Sequence, residues 1–232
     1  MTANAFIFAR GGSKGLLRKN IKILNGKPLI CHSIDVAFAC NEFDQVFVST
    51  DCDEISAISK AAGATVIKRP VELAGDESPE WLAWQHAITY VFNHYGVFDE
   101  FVSLPATSPL RSKEDGTLAM RKRGGQQADL CIAITPANRS PYFNMVKIAN
   151  DGQLELVNKP ETKVNRRQDA PKVFDITTVV YASTTEFILN HTNMFDGKIV
   201  GIEVPKERAV DIDDIYDFML AEAISTNVDG NI

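Results

Sequence analysis

The chain's 232 residues suffice for one α/β domain with a full core. Hydrophobic residues at 45% and charged residues at 23% are ordinary for a soluble globular protein. A formal net charge of −6 argues against a nucleic-acid coat, while leaving room for a local basic pocket around a small polyanion.

The N-terminal apolar run, residues 5–9, is too short for a signal peptide or a membrane span. It reads as a buried strand that opens directly into Arg10-Gly11-Gly12. Asn25-Gly26 marks a turn, and Pro28 stands where a helix over 28–39 begins. Residues 45–49 are a β-branched strand. Thr50-Asp51 then caps a helix that Gly63 ends. A strand follows at 64–67. Ser78-Pro79 starts the next helix, along which Trp81, Trp84, Ile88, Val91 and Tyr95 recur at helical spacing. Both tryptophans read as core. A strand at 101–104 runs into a loop stiffened by Pro105 and Pro109, followed by a helix at 113–123 and a strand at 130–135.

The alternation then stops. Residues from about 139 to 171 are polar, with only short apolar runs, and read as a protruding arm rather than a second domain. Regular structure resumes with a strand at 174–182, a helix near 185–190, a strand at 198–204 and a helix from about 213 to 226. The expectation is a single domain, 1–232, of α/β class: a three-layer, mainly parallel sheet with helices on both faces. Its binding crevice lies beyond the carboxyl ends of the strands, where the polar motifs fall.

Four motifs carry chemistry. The first is Arg10-Gly11-Gly12-Ser13-Lys14-Gly15, continued by Arg18-Lys19-Asn20. Glycine lets backbone N–H groups approach phosphate oxygens, and Arg10, Lys14 and Lys19 add positive charge. The spacing matches neither a P-loop nor a GxGxxG fingerprint. The second is Asp211-Ile212-Asp213, whose carboxylates share one face of an extended segment and suit Mg²⁺. Asp213 and Asp214 could equally cap a helix. The third is Ser49-Thr50-Asp51, read as a cap. The fourth is Arg69 before Pro70, placed to meet a base or a carboxylate, or to form a surface pair. The four histidines are scattered and read as structural. The four cysteines show no CxxC or zinc-ligand spacing and read as free thiols in a reducing compartment. A cytoplasmic protein without membrane partners is expected.

In this order, ARGGSKGLLRKN (9–20), NGKPLI (25–30), VSTD (48–51), RPVELA (69–74), ATSPLR (106–111), RRQ (166–168) and VDIDD (210–214) resemble the acylneuraminate cytidylyltransferases. The resemblance spans nearly the whole chain. It implies a nucleotide-diphospho-sugar transferase-like fold and a homodimer whose arm, at about 139–171, reaches over the partner's site. It implies that Arg10, Lys14, Lys19 and Asn20 hold the phosphates of CTP, with Gly11, Gly12 and Ser13 also in the nucleotide site, and that Arg69 meets the cytosine. Asp211 and Asp213 would bind Mg²⁺, with Arg10, Lys14 and Asp211 as the catalytic set. Arg111, Arg167, Gln168 and Thr177 would face an acidic keto-sugar, with Arg167 or Arg111 opposite its carboxylate. The general base stays unassigned.

The chain departs from the family at three places. Pro105-Ala106 replaces a Gln-Pro pair, Asp175-Ile176-Thr177-Thr178 replaces an Arg-Pro-Asn-Gly stretch, and Glu80 replaces a serine near the base. The first two favour a sialic-acid relative, such as a legionaminic or pseudaminic type, or an uncharacterised keto-sugar acid. Rival readings are a nucleotidyltransferase for a Kdo-type sugar or with another NTP, and a non-catalytic nucleotide-sugar-binding protein.

Overall fold

The computed structural model describes residues 2–159 and 166–228. Its first strand, β1 (Ala3–Phe8), is buried along almost its whole length, as a strand covered on both faces must be. Next comes a hairpin, β2 (Ile23–Leu24) and β3 (Lys27–Pro28). Asn25 and Gly26 both take positive φ, 47° and 79°, the two-residue turn that Asn-Gly favours. The main elements that follow are α1 (Leu29–Ala39), β4 (Gln45–Thr50), α2 (Asp53–Ala61), β5 (Thr65–Lys68), α3 (Glu80–His94) and β6 (Glu100–Ser103). Then come α4 (Lys113–Gly125), β7 (Leu130–Pro136), β8 (Val146–Ile148), β9 (Leu154–Leu156), β10 (Phe174–Thr184), α5 (Thr185–Asn190), β11 (Ile199–Glu203) and α6 (Ile215–Val228).

Seven strands form one sheet in the order β11-β7-β10-β6-β1-β4-β5. β1 lies parallel to β4 and β6, β4 to β5, and β7 to β11. β10 alone runs antiparallel, between β6 and β7. The expected mainly parallel sheet is therefore observed, with one reversed strand. The alternation of β1 splits its side chains between two cores. Ala5 and Ile7 join Ile30, Ile34, Ile55 and Ala119 from α1, α2 and α4. Phe6 joins Trp81, Trp84, Ile88, Phe187 and Ile188 from α3 and α5. Both tryptophans are core residues, as expected. A third cluster seats Phe218 and Ala221 of α6 on Leu24, Leu29, Val210 and Ile212.

Two caps differ from expectation. Cys52, not Thr50 or Asp51, is the N-cap of α2. Thr50 Oγ1 accepts instead from the Cys52 N–H at 3.1 Å, and Asp51 is used elsewhere. Pro79 occupies the N-cap position of α3, and Ser78 Oγ is buried without a partner. A proline φ near −58° suits the cap as well as the first helical position, which displaces the serine by one residue.

The arm leaves β7 and returns at β10, where Phe174 pairs with Pro136. Its described part carries the antiparallel β8–β9 hairpin; residues 160–165 lie outside the described part. Between Thr177 and Tyr181 the β10–β7 register breaks. That irregularity turns Thr178 toward the site.

Candidate active site

The strand order changes direction between β1 and β6, and a crevice opens beyond their carboxyl ends. It holds a cavity of about 460 Å³, lined by Arg10, Ser13, Lys14, Lys19, Asn20, Arg69 and Asp213 among others. Asn20 fixes the loop after β1, donating from Nδ2 to the Arg10 carbonyl at 3.0 Å. Lys19 Nζ donates to the Ile212 carbonyl and lies 3.3 Å from Asp213 Oδ1. Gly15 has a packing reason to be glycine, since a Cβ there would overlap the Asp213 carbonyl oxygen. The phosphate-loop candidate and the aspartate motif, about two hundred positions apart in the chain, thus form one wall. Arg10 and Lys14 both pair with Asp76, the former at 2.6 Å.

Gly11 and Gly12 are not among the residues that line this cavity. The Gly11 N–H is already committed, donating to Asp51 Oδ1 at 3.0 Å. That contact ties the loop to the end of β4 and is the use Asp51 finds in place of capping. Gly12 faces open space.

At the other end of the cavity Arg69, only 7% exposed, donates from Nε to Ser49 Oγ at 3.1 Å and from Nη2 to the Ser49 carbonyl at 2.7 Å. Its guanidinium sits 5.5 Å over the Phe8 ring. Burial lowers its pKa, opposed by Glu80 and Asp51. Glu80, exposed at its surface, lines the same cavity, and desolvation raises its carboxyl pKa against the pull of Arg69.

Asp211 lies behind Asp213. Its pKa is raised by burial, while the Thr107 hydroxyl lowers it, Asp213 raises it further and Thr178 lowers it. Its Oδ1 is buried without a hydrogen-bond partner. The Ile212 N–H donates to the Thr107 carbonyl at 2.8 Å, fixing the segment against the 105–111 loop. Asp214 takes the capping role instead, accepting from the Tyr216 and Asp217 N–H groups at 2.7 and 3.1 Å. The Asp213 side chain stays 79% exposed. The alternative use of Asp213 as a cap is thereby excluded.

Two sugar-site expectations are corrected. Arg111 is 4% exposed and faces inward. It donates to the carbonyls of Val179 at 2.8 Å, Thr178 at 3.4 Å and Pro105, and to Ser33 Oγ. Burial pushes its pKa down to about 9. With its guanidinium buried and bound to these four acceptors, it is not placed to meet a sugar carboxylate. Thr177 is 5% exposed and donates to the Ala133 carbonyl at 3.3 Å. Its neighbour Thr178 faces the site, with Oγ1 2.6 Å from Ser108 Oγ. Arg167 and Gln168 line a different cavity, about 610 Å³ at the base of the arm, with Arg139 and Lys172. The fold brings neither into the loop cavity of the same chain. Thr107, Ser108, Thr178 and Asp76 were missed by sequence reasoning. The hydroxyl pair inside the two-proline loop was the available signal for the first two.

A cation-lined loop at a strand-order reversal, faced by a carboxylate pair, defines a nucleotidyltransferase-type site. The family model for cytidylyltransferases matches residues 5–199, and the chain belongs to that family. It is 35% identical over 219 residues to the CMP-N,N'-diacetyllegionaminic acid synthase of Campylobacter jejuni, covering 93% of this chain and 92% of that one. It is 29% identical to an N-acylneuraminate cytidylyltransferase of Streptococcus agalactiae, over 91% of this chain and 50% of that one. In structure it resembles a CMP:2-keto-3-deoxy-manno-octonic acid synthetase complexed with CTP. The TM-score is 0.72 at 16% identity, over 98% of this chain and 100% of that one, a likeness of fold.

Proposed function

We propose that this chain transfers CMP from CTP to the anomeric hydroxyl of a nonulosonic acid and releases pyrophosphate. The observation that carries this reading is the meeting of Lys19 and Asp213 in one cavity with Arg10 and Lys14, backed by the free buried oxygen of Asp211. The names of the relatives support the sugar class, legionaminic acid among them.

The donor set suits Mg²⁺. The ion takes oxygen ligands, commonly one or two carboxylates plus substrate phosphates, and Asp211 Oδ1 has no other partner. Asp211 and Asp213 would hold it; bound there, it supplies neutralisation of phosphate charge. Lys14, Lys19 and Arg10 bind the phosphates and stabilise the negative charge that grows on the departing pyrophosphate. Asn20 keeps Arg10 in register, and the Phe8–Arg69 end receives the base. The sugar hydroxyl attacks the α-phosphorus in line with that leaving group. The work of these residues is positioning and charge stabilisation.

The sugar carboxylate then needs a cation other than Arg111. Arg167, at the base of the arm, serves it across a homodimer, with Gln168 beside it. The four free thiols are in keeping with a cytoplasmic location. Among the described residues no helix is long and apolar enough to cross a membrane.

The test is pyrophosphate release from CTP and Mg²⁺ across N-acetylneuraminic, legionaminic, pseudaminic and Kdo acids, with ATP, GTP and UTP as controls. Release with CTP and a nine-carbon acid is expected. Release only with Kdo moves the substrate to eight-carbon acids. CTP binding without release from any acid supports a binding protein instead.

A further inference from the structure

Asp76 stands on the exposed turn between the 3₁₀ turn Val71–Leu73 and α3. Its carboxylate is the point on which Arg10 and Lys14 converge. Both cations line the loop cavity, and both come from the loop read here as the phosphate cradle. A phosphate that touches both side chains must therefore take the place Asp76 holds. The pairs are open to water, with Lys14 78% and Asp76 39% exposed, and exposed carboxylate pairs are weak. A phosphate offers Arg10 a stronger, bidentate partner.

We infer that Asp76 is an internal stand-in for phosphate. It holds Arg10 and Lys14 in position, gives way when the nucleotide's phosphates arrive, and re-engages as pyrophosphate departs. The inference rests on the phosphate-cradle reading and adds a positioning residue to it. The two cations also hold the Asp76 carboxyl below its usual range, Lys14 foremost, so it is ionised and competing at neutral pH.

The consequence runs against ordinary mutational damage, because removing the competitor tightens binding. Apparent affinity is reduced by the fraction of molecules in which the seat is free. A free fraction of roughly a third to a tenth predicts that Asp76→Asn binds pyrophosphate about three- to tenfold more tightly. Its KM for CTP falls, and kcat does not rise, because the product is also held longer.

The control is Glu77→Gln, which removes the same charge from the neighbouring exposed residue. Isothermal titration of wild type and both variants with inorganic pyrophosphate decides the matter. Tighter binding in Asp76→Asn with less than a twofold change in Glu77→Gln supports the stand-in. Equal or weaker binding in Asp76→Asn overturns it. So does an equal gain in Glu77→Gln, which would mean that only general charge matters. If none of the three binds pyrophosphate, the phosphate-cradle reading itself falls and takes the inference with it.

Discussion

Arg111→Met separates the two roles this arginine has been given. In the structure its guanidinium braces the irregular stretch of β10, donating to the carbonyls of Thr178 and Val179 where pairing with β7 is interrupted. Methionine keeps the length and much of the volume but donates nothing. Pro105 O retains Ser33 Oγ at 3.2 Å, so two buried carbonyls bear the loss. At about 1–3 kcal/mol for each orphaned group, the gross cost is about 2–6 kcal/mol. Relief from burying the cation offsets part of it, leaving roughly 2–4 kcal/mol. For a chain of this size that lowers Tm by about 4–16 °C. Differential scanning calorimetry measures it, alongside KM for CTP and for the sugar. Activity should fall with both substrates still bound, because Thr178 and the Asp211 segment lose their support. A Tm within about 2 °C of wild type, with only the sugar KM raised, would refute the bracing argument and restore Arg111 to the sugar site.

Three further outcomes are expected. Asp211→Asn should cut turnover on the order of 100-fold or more while Tm holds or rises, since it removes a buried carboxylate beside Asp213; unchanged turnover would remove the metal assignment. Gly15→Ala places a methyl group against the Asp213 carbonyl, so about 1–3 kcal/mol of overpacking should part the loop from the aspartate wall. The KM for CTP then rises about tenfold, and a value within twofold of wild type would deny that the close approach matters. Glu80→Gln should narrow the preference for CTP over UTP about tenfold in kcat/KM. A carboxylate beside Arg69 can accept from the amino group of cytosine but repels the carbonyl of uracil, which an amide can serve. An unchanged ratio would place Glu80 outside base recognition.

The sheet and its helices were largely legible because burial forces the pattern. The runs at β1 and β4 suit strands between two helical layers, and the tryptophan spacing of α3 marks a core-facing stripe, whereas Tyr95, read as its last member, is the C-cap and 48% exposed. What stayed hidden depends on contacts distant in sequence. Nothing near Arg111 announces the irregularity of β10 that takes its donors. The same irregularity decided that Thr178, not Thr177, faces the site. Asp51 looked like a cap because its partner, Gly11, lies forty positions away. The loop cations and the aspartate pair were readable as residue types, whereas their meeting through Lys19 and Gly15 required the fold.

The reversed direction of β10 has a consequence for how this chain can vary. Because β10 runs against its neighbour β7, the chain leaves and re-enters the sheet at the same end of the two strands, with Phe174 set opposite Pro136. Whatever is spliced between those two residues hangs from a closed joint, and its length is not sensed by the register on either side. The segment between them can therefore be lengthened, shortened or exchanged as a cassette, with the sheet left in place. Selection, or an engineer, can retool that segment at the joint without reopening the fold.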